Sequence, residues 1–224
     1  MFQVKICGVT NLSDAEHAIE CGADAIGFIC YAQSPRYISP NNIEPIINAL
    51  PERIAKVGVF VQHSIPEIQK LLYETGLTHA QFHHHNFFSS DNLFLLRAFK
   101  LPILPALRGT SEEIKPIAKK ILEQLNCNTF LIDSFSPTAF GGTGDSIPLV
   151  DAKKIIYGIK SFEKTCKVIL AGGLTPQNVY DLILTLKPDG VDVSSGVEEL
   201  PGRKSPQKLK AFISEAKRAF YDRI

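Results

Sequence analysis

The sequence predicts an α/β chain folded as one TIM-type (β/α)8 barrel domain over residues 1–224. Three observations carry this expectation: eight short apolar runs, eight amphipathic stretches alternating with them, and no Pro-rich, Ser/Gly-rich or low-complexity linker that would divide the chain.

The runs are 2–6 (FQVKI), 25–29 (AIGFI), 55–61 (AKVGVFV), 78–82 (THAQF), 102–107 (PILPAL), 129–133 (TFLID), 167–170 (KVIL) and 190–194 (GVDVS). They are nearly all apolar, β-branched or aromatic, as parallel strands covered on both faces must be. Between them the helical period predicts helices over 14–21, 43–50, 66–75, 93–99, 111–124, 149–159, 176–186 and 206–220. Start signals support several. Ser13 precedes Asp14 and Glu16, and Ser39-Pro40, Ser64 before Pro66, Thr110 before Glu112 and Glu113, Thr175-Pro176 and Ser205-Pro206 set a hydroxyl just ahead of a Pro or Glu. Gly22 and Gly76 stand where a helix releases the chain. An open doubly wound sheet alternates too, but usually has fewer strands at this length.

Composition narrows the partners. Lys plus Arg number 24 against 23 for Asp plus Glu, so no overall charge attracts nucleic acid or an anionic membrane. Any anion must be held by a local device. The first residues lack the basic and apolar regions of a signal peptide, and no apolar run is long enough to cross a bilayer. Five cysteines, an odd number without metal-ligand spacing, are expected to be reduced thiols in a cytoplasmic protein.

In this architecture reacting groups stand at the C-terminal ends of strands. Cys7 ends the first run in KICG, with Lys5 two residues back and Gly8 following. It reads either as a small buried hydrophobe, as Cys30, Cys127 and Cys166 do, or as a base that needs a nearby cation to hold its thiolate. Asp133 ends the sixth run, ahead of the long Gly-rich segment SFSPTAFGGTG, and is either a loop cap or an acid. A thiol and a carboxyl across one mouth suggest proton-shuffling isomerisation. Two segments suggest phosphate: AGGLTPQN with Gly172 and Gly173, and VDVSSGVE with Ser194, Ser195 and Gly196. Glycines admit close backbone N–H groups, helix N-termini favour anions, and the loops after strands seven and eight are this fold's usual phosphate site. Gly141, Gly142 and Gly144 either extend that cup or loosen the sixth loop. Arg36 offers a planar fork to a carboxylate or is a solvated charge, and Asp192 is either a substrate contact or a buried partner for a cation. The cluster His79, His83, His84, His85 has no acidic or thiol partner at ligand spacing, so no metal is expected.

These motifs together resemble the phosphoribosylanthranilate isomerase family of tryptophan biosynthesis over nearly the whole chain. The matching pieces are KICGVTNLSDA, GADAIGFICYAQSPRYIS, VGVFV, the QFH of AQFHHH, LIDS, GGTG, AGGLTPQNV and VDVSSGVE with PGRKS. The resemblance implies an Amadori rearrangement of a small phosphorylated sugar, N-(5-phosphoribosyl)anthranilate, without metal or organic cofactor. It implies Asp133 as general acid, Cys7 as general base, and Arg36 on the anthranilate carboxylate. Gln81, His83 and Asp192 would contact substrate, and Gly142, Gly172, Gly173, Ser194, Ser195 and Gly196 its phosphate. The family occurs as monomers and homodimers. This chain departs from the family pattern at His84, where QLHG usually has Gly, and at Pro105, where a Lys commonly precedes Ala106. Arg108 is nearby but two residues off-phase to replace a Lys at 106. A related histidine-pathway isomerase is expected to carry carboxylates at both catalytic positions, and Cys7 disfavours it. A non-catalytic sugar-phosphate binder is the other alternative.

Overall fold

The computed structural model describes residues 2–83, 85–133 and 149–223. Eight parallel strands close on themselves: β1 (Val4–Cys7), β2 (Ala25–Ile29), β3 (Ala55–Phe60), β4 (His79–Phe82), β5 (Ile103–Leu107), β6 (Thr129–Ile132), β7 (Lys167–Ala171) and β8 (Gly190–Val193). Each strand pairs with its sequence neighbours, and β8 returns to β1 with Asp192 beside Lys5. Helices α1 (Leu12–Glu20), α2 (Pro40–Ala49), α3 (Ile65–Thr75), α4 (Ser90–Leu96), α5 (Ser111–Leu125), α6 (Leu149–Lys160), α7 (Val179–Leu186) and α8 (Pro206–Asp222) follow the strands in turn. The predicted fold class is therefore observed.

Because strand side chains alternate, the ring has two separate apolar cores. Outward residues such as Ile6, Phe28, Phe82, Phe130 and Val191 pack under the helices. Inward residues Phe2, Ala25, Val57, Leu104, Ala106, Leu131, Ile169 and Ala171 fill the barrel. The N-terminal rim is tied by short side chains that close onto the preceding strand. Asp24 Oδ2 accepts from Val4 N at 2.9 Å, Thr78 Oγ1 from Lys56 N at 2.9 Å and Asp189 Oδ2 from Val168 N at 3.0 Å.

Several boundaries move. Helix α1 is capped by Asn11, whose Oδ1 accepts from Asp14 N at 2.9 Å, rather than by Ser13. Helix α2 starts at Pro40, straight after Ser39, and α4 starts at Ser90 after the Ser89 cap. Helix α7 starts at Val179, not Pro176. Asn178 spends its side chain closing the turn before it, accepting from Thr175 N at 2.8 Å and donating to Gly173 O at 2.9 Å. A two-stranded ribbon, β9 (Glu198–Leu200) with β10 (Arg203–Lys204), was not expected. Gly202 at φ 81° makes its turn.

Phe130 is fully buried on β6. Phe130→Ala should lower unfolding free energy by about 3–5 kcal/mol, read as a drop in the urea midpoint at unchanged m-value. A change below about 1 kcal/mol would place the ring outside the cooperative core.

Candidate active site

Period-two alternation carries one set of polar side chains to the C-terminal mouth. Cys7 ends β1, Gln81 lies on β4, and Asp192 lies on β8, all facing inward, while His83 and Asp133 follow β4 and β6. They line a single cavity of about 560 Å³, together with Arg36, Gly172, Gly173 and Ser194–Gly196. All the substrate and acid–base residues expected from the sequence therefore meet in one place, and so do five of the six phosphate residues. Gly142, and with it Gly141 and Gly144, lies outside the described residues, as does His84.

Beneath Cys7 is a cation. Lys5 Nζ, fully buried, donates to Asp192 Oδ1 at 2.9 Å. Burial works against the ammonium, but Asp192 and then Cys7 more than offset it, and the Lys5 pKa is raised. Asp192 thus serves the buried-partner role while also facing the cavity. Its own pKa is raised, chiefly by burial, with Lys5 opposing. Burial likewise pushes the Cys7 thiol up while Lys5 pulls it down. Gly27 makes the arrangement possible: a methyl there would stand 2.8 Å from Cys7 Sγ and 3.0 Å from Lys5 Cε. Other thiols behave as packing groups; burial takes Cys30 to about 12 and Cys127 to about 11.

Across the mouth, Asp133 Oδ2 stands 3.8 Å from His83 Nε2 and 3.8 Å from Arg108 Nε. Burial lowers the His83 pKa against the pull of Asp133, which favours the neutral ring. Arg108, two residues beyond Ala106, falls on the same inward face, one layer nearer the mouth. Its two-residue offset brings it to the Asp133 carboxyl. Besides Ser111 Oγ, two buried side-chain oxygens, Gln81 Oε1 and Ser194 Oγ, have no hydrogen-bond partner among the described residues. An unmet buried polar atom is costly, and both belong to residues of the cavity wall.

The loops after β7 and β8 are pressed together. Gly172 and Gly173 take φ 83° and 64°. They lie in the turn ahead of α7 rather than at its first residue, because that helix begins at Val179. A methyl on Gly196 would meet Leu174 O at 1.9 Å, so only glycine fits between the loops. A 3-10 turn (Ser195–Val197) then follows β8 and carries the chain to Glu198.

Arg36 is neither solvated nor wholly free for a ligand. Its Nε donates to Glu198 Oε1 at 2.9 Å and its Nη2 to Glu198 Oε2 at 2.7 Å. Lys204 Nζ donates to the same carboxylate at 2.8 Å and to Ser194 O at 3.2 Å. Burial pushes Glu198 up, Arg36 and Lys204 more than reverse this, and its pKa is lowered. Glu198, Lys204 and the Lys5–Asp192 pairing were missed from sequence. The visible signals were Lys5 on the same strand parity as Cys7, and the Glu198-Glu199 pair and Lys204 on either side of LPGR.

A family model described as N-(5'phosphoribosyl)anthranilate (PRA) isomerase matches residues 4–215. The N-(5'-phosphoribosyl)anthranilate isomerase of Chlorobium chlorochromatii is 38% identical over 217 residues, 97% of each chain. Phosphoribosyl anthranilate isomerase from Thermotoga maritima superposes with a TM-score of 0.80 at 33% identity, covering 97% of this chain and 100% of that one. A solved isomerase in complex with reduced 1-(o-carboxyphenylamino)-1-deoxyribulose 5-phosphate gives a TM-score of 0.77 at 33% identity, with 97% and 100% coverage. With fold and sequence in agreement over nearly its whole length, the chain belongs to the N-(5'-phosphoribosyl)anthranilate (PRA) isomerase family.

Proposed function

We propose that this chain isomerises N-(5'-phosphoribosyl)anthranilate to 1-(2-carboxyphenylamino)-1-deoxyribulose 5-phosphate, a step of tryptophan biosynthesis, by general acid–base catalysis. The observation that carries this reading is one cavity lined by Cys7, Asp133 and the glycine loops after β7 and β8. Asp133 protonates the furanose ring oxygen; its bond to C1′ breaks as the nitrogen lone pair forms an iminium. The Cys7 thiolate then takes the C2′ proton, and the freed electron pair makes the C1′–C2′ double bond while the iminium electrons return to nitrogen. The resulting enolamine tautomerises to the ketone. Both steps are proton transfers, so the reading calls for no cofactor. Nη1 of Arg36, which the Glu198 bonds leave over, meets the anthranilate carboxylate. Gln81, His83 and Asp192 contact the sugar, while Gly172, Gly173, Ser194, Ser195 and Gly196 hold the phosphate, and Gly142 is assigned with them from the family pattern. The protein works in the cytoplasm on this small phosphorylated sugar, as one domain, and as a monomer or homodimer. Among the described residues no helix is long and apolar enough to cross a membrane.

Turnover is followed by loss of the substrate's anthranilate fluorescence. Cys7→Ser and Asp133→Asn should each abolish it while retaining affinity for the reduced product analogue. Full activity in Cys7→Ser removes that residue as the base, and binding without turnover in the unaltered protein establishes a binder instead.

Gly173→Asp should raise KM by about tenfold or more, since a carboxylate then faces the phosphate dianion. Gly173→Asn, which tolerates the left-handed backbone without the charge, should be milder. Equal effects would assign the loss to backbone geometry alone.

Glu198→Gln should raise KM more than it lowers kcat, because Arg36 loses the charge that orients it. Stability should respond to pH as well. A carboxyl held below its ordinary pKa stabilises the fold above the unfolded-state value, and that contribution is lost as pH falls through the folded value. The urea midpoint of the unaltered protein should therefore fall more steeply on acidification below about pH 4.5 than that of Glu198→Gln. Parallel profiles would remove this carboxylate from acid stability.

A further inference from the structure

The reading of Cys7 as base leaves one requirement unmet: a buried thiol must be held as its thiolate. The mouth contains several charged groups, and they differ in what they reach. Lys5 from β1 and Asp192 from β8 are beside Cys7, and Lys204 of β10 acts on it from the loop side. Across the opening stand His83 after β4, Arg108 after β5 and Asp133 after β6. The facing positions on β2, β3 and β7 are Gly27, Val57, Val59 and Ala171, which carry no charge.

Lys5 alone is both fully buried and on the strand of Cys7, two residues away, so their side chains share one face. Both lean over Gly27, whose missing methyl would touch Sγ of one and Cε of the other. An ammonium has three donors, and Asp192 takes one. We infer that Lys5 is the positioning residue for the base, its ammonium shared between the Asp192 carboxylate and the Cys7 thiolate. This inference rests on the proposed role of Cys7.

The sharing sets two influences against each other. With Cys7 as a thiol, Lys5 and Asp192 balance. When the proton leaves sulfur, the same ammonium faces two anions, so Asp192 opposes thiolate formation while Lys5 favours it. The proton that leaves sulfur passes to the solvent of the cavity, and Cys7 regains one from C2′, so no step needs another reactant.

Opposite signs give a test that a merely structural role would not pass. The rate of iodoacetamide alkylation at Cys7 is measured by peptide mass spectrometry from pH 6.5 to 10, with the half-exposed Cys21 as internal reference. Lys5→Met should displace the profile to higher pH and slow alkylation by about tenfold at a given pH, the factor for one pKa unit. Asp192→Asn should displace it to lower pH and speed alkylation, with Cys21 unchanged in both. Coincident profiles, or displacement in the same direction, overturn the inference. Should Lys5→Met fail to fold, the direction given by Asp192→Asn decides: faster supports, unchanged or slower overturns. The readout needs no turnover, so loss of this inference and loss of the isomerase reading are told apart by activity in Cys7→Ser.

Discussion

The pair Lys5–Asp192 sits where the first strand of the barrel meets the last, as register partners across the closing seam. Such a buried pair adds little to stability in itself, but removing one partner strands the other and costs about 3–5 kcal/mol. A one-residue slip of β1 at this seam would turn Lys5 into the apolar layer under the helices and leave Asp192 inside without its cation. Closing the ring and setting the electrostatics under Cys7 are therefore a single requirement. The inner core of small residues, Ala25, Val57, Ala106 and Ala171, leaves room for the pair, and Gly27 leaves room for the groups above it.

The two ends of the barrel divide the work. At the N-terminal rim, carboxylates and a hydroxyl are spent on backbone amides: Asp24 on Val4, Thr78 on Lys56, Asp189 on Val168. Asp189 also holds Lys160 at 2.8 Å, and its pKa is lowered because that partner and others outweigh burial. At the C-terminal mouth, by contrast, Gln81 Oε1 and Ser194 Oγ are buried with no partner among the described residues. Polar groups satisfied at one end and unsatisfied at the other are what separates a scaffold from a receptor.

Strands were legible because a parallel strand buried on both faces declares itself as a short apolar run, and parity then fixes which residues face inward. Cys7, Asp133 and the glycines after β7 and β8 could be found because the fold dictates where reacting groups and phosphate sites stand. What escaped was set by partners remote in sequence. Arg36 and Glu198 are 162 positions apart, and Lys5 and Asp192 are 187 apart. No local pattern reports such a meeting. Helix starts moved for a nearer reason: Asn11 outcompeted Ser13 as cap, and Asn178 was drawn into the turn before α7. The ribbon β9–β10 is too short for a periodic signal, yet it delivers Glu198 and Lys204 to the mouth.

The contact of Gly196 with Leu174 O joins two loops that the sequence lists separately. Neither can drift without the other, because any side chain at 196 would drive them apart. For inheritance, the loops after β7 and β8 form one character rather than two. Transplanting either alone from another barrel would bring a surface cut to a different neighbour, whereas moving them together, with the turn pinned by Asn178, keeps their fit intact.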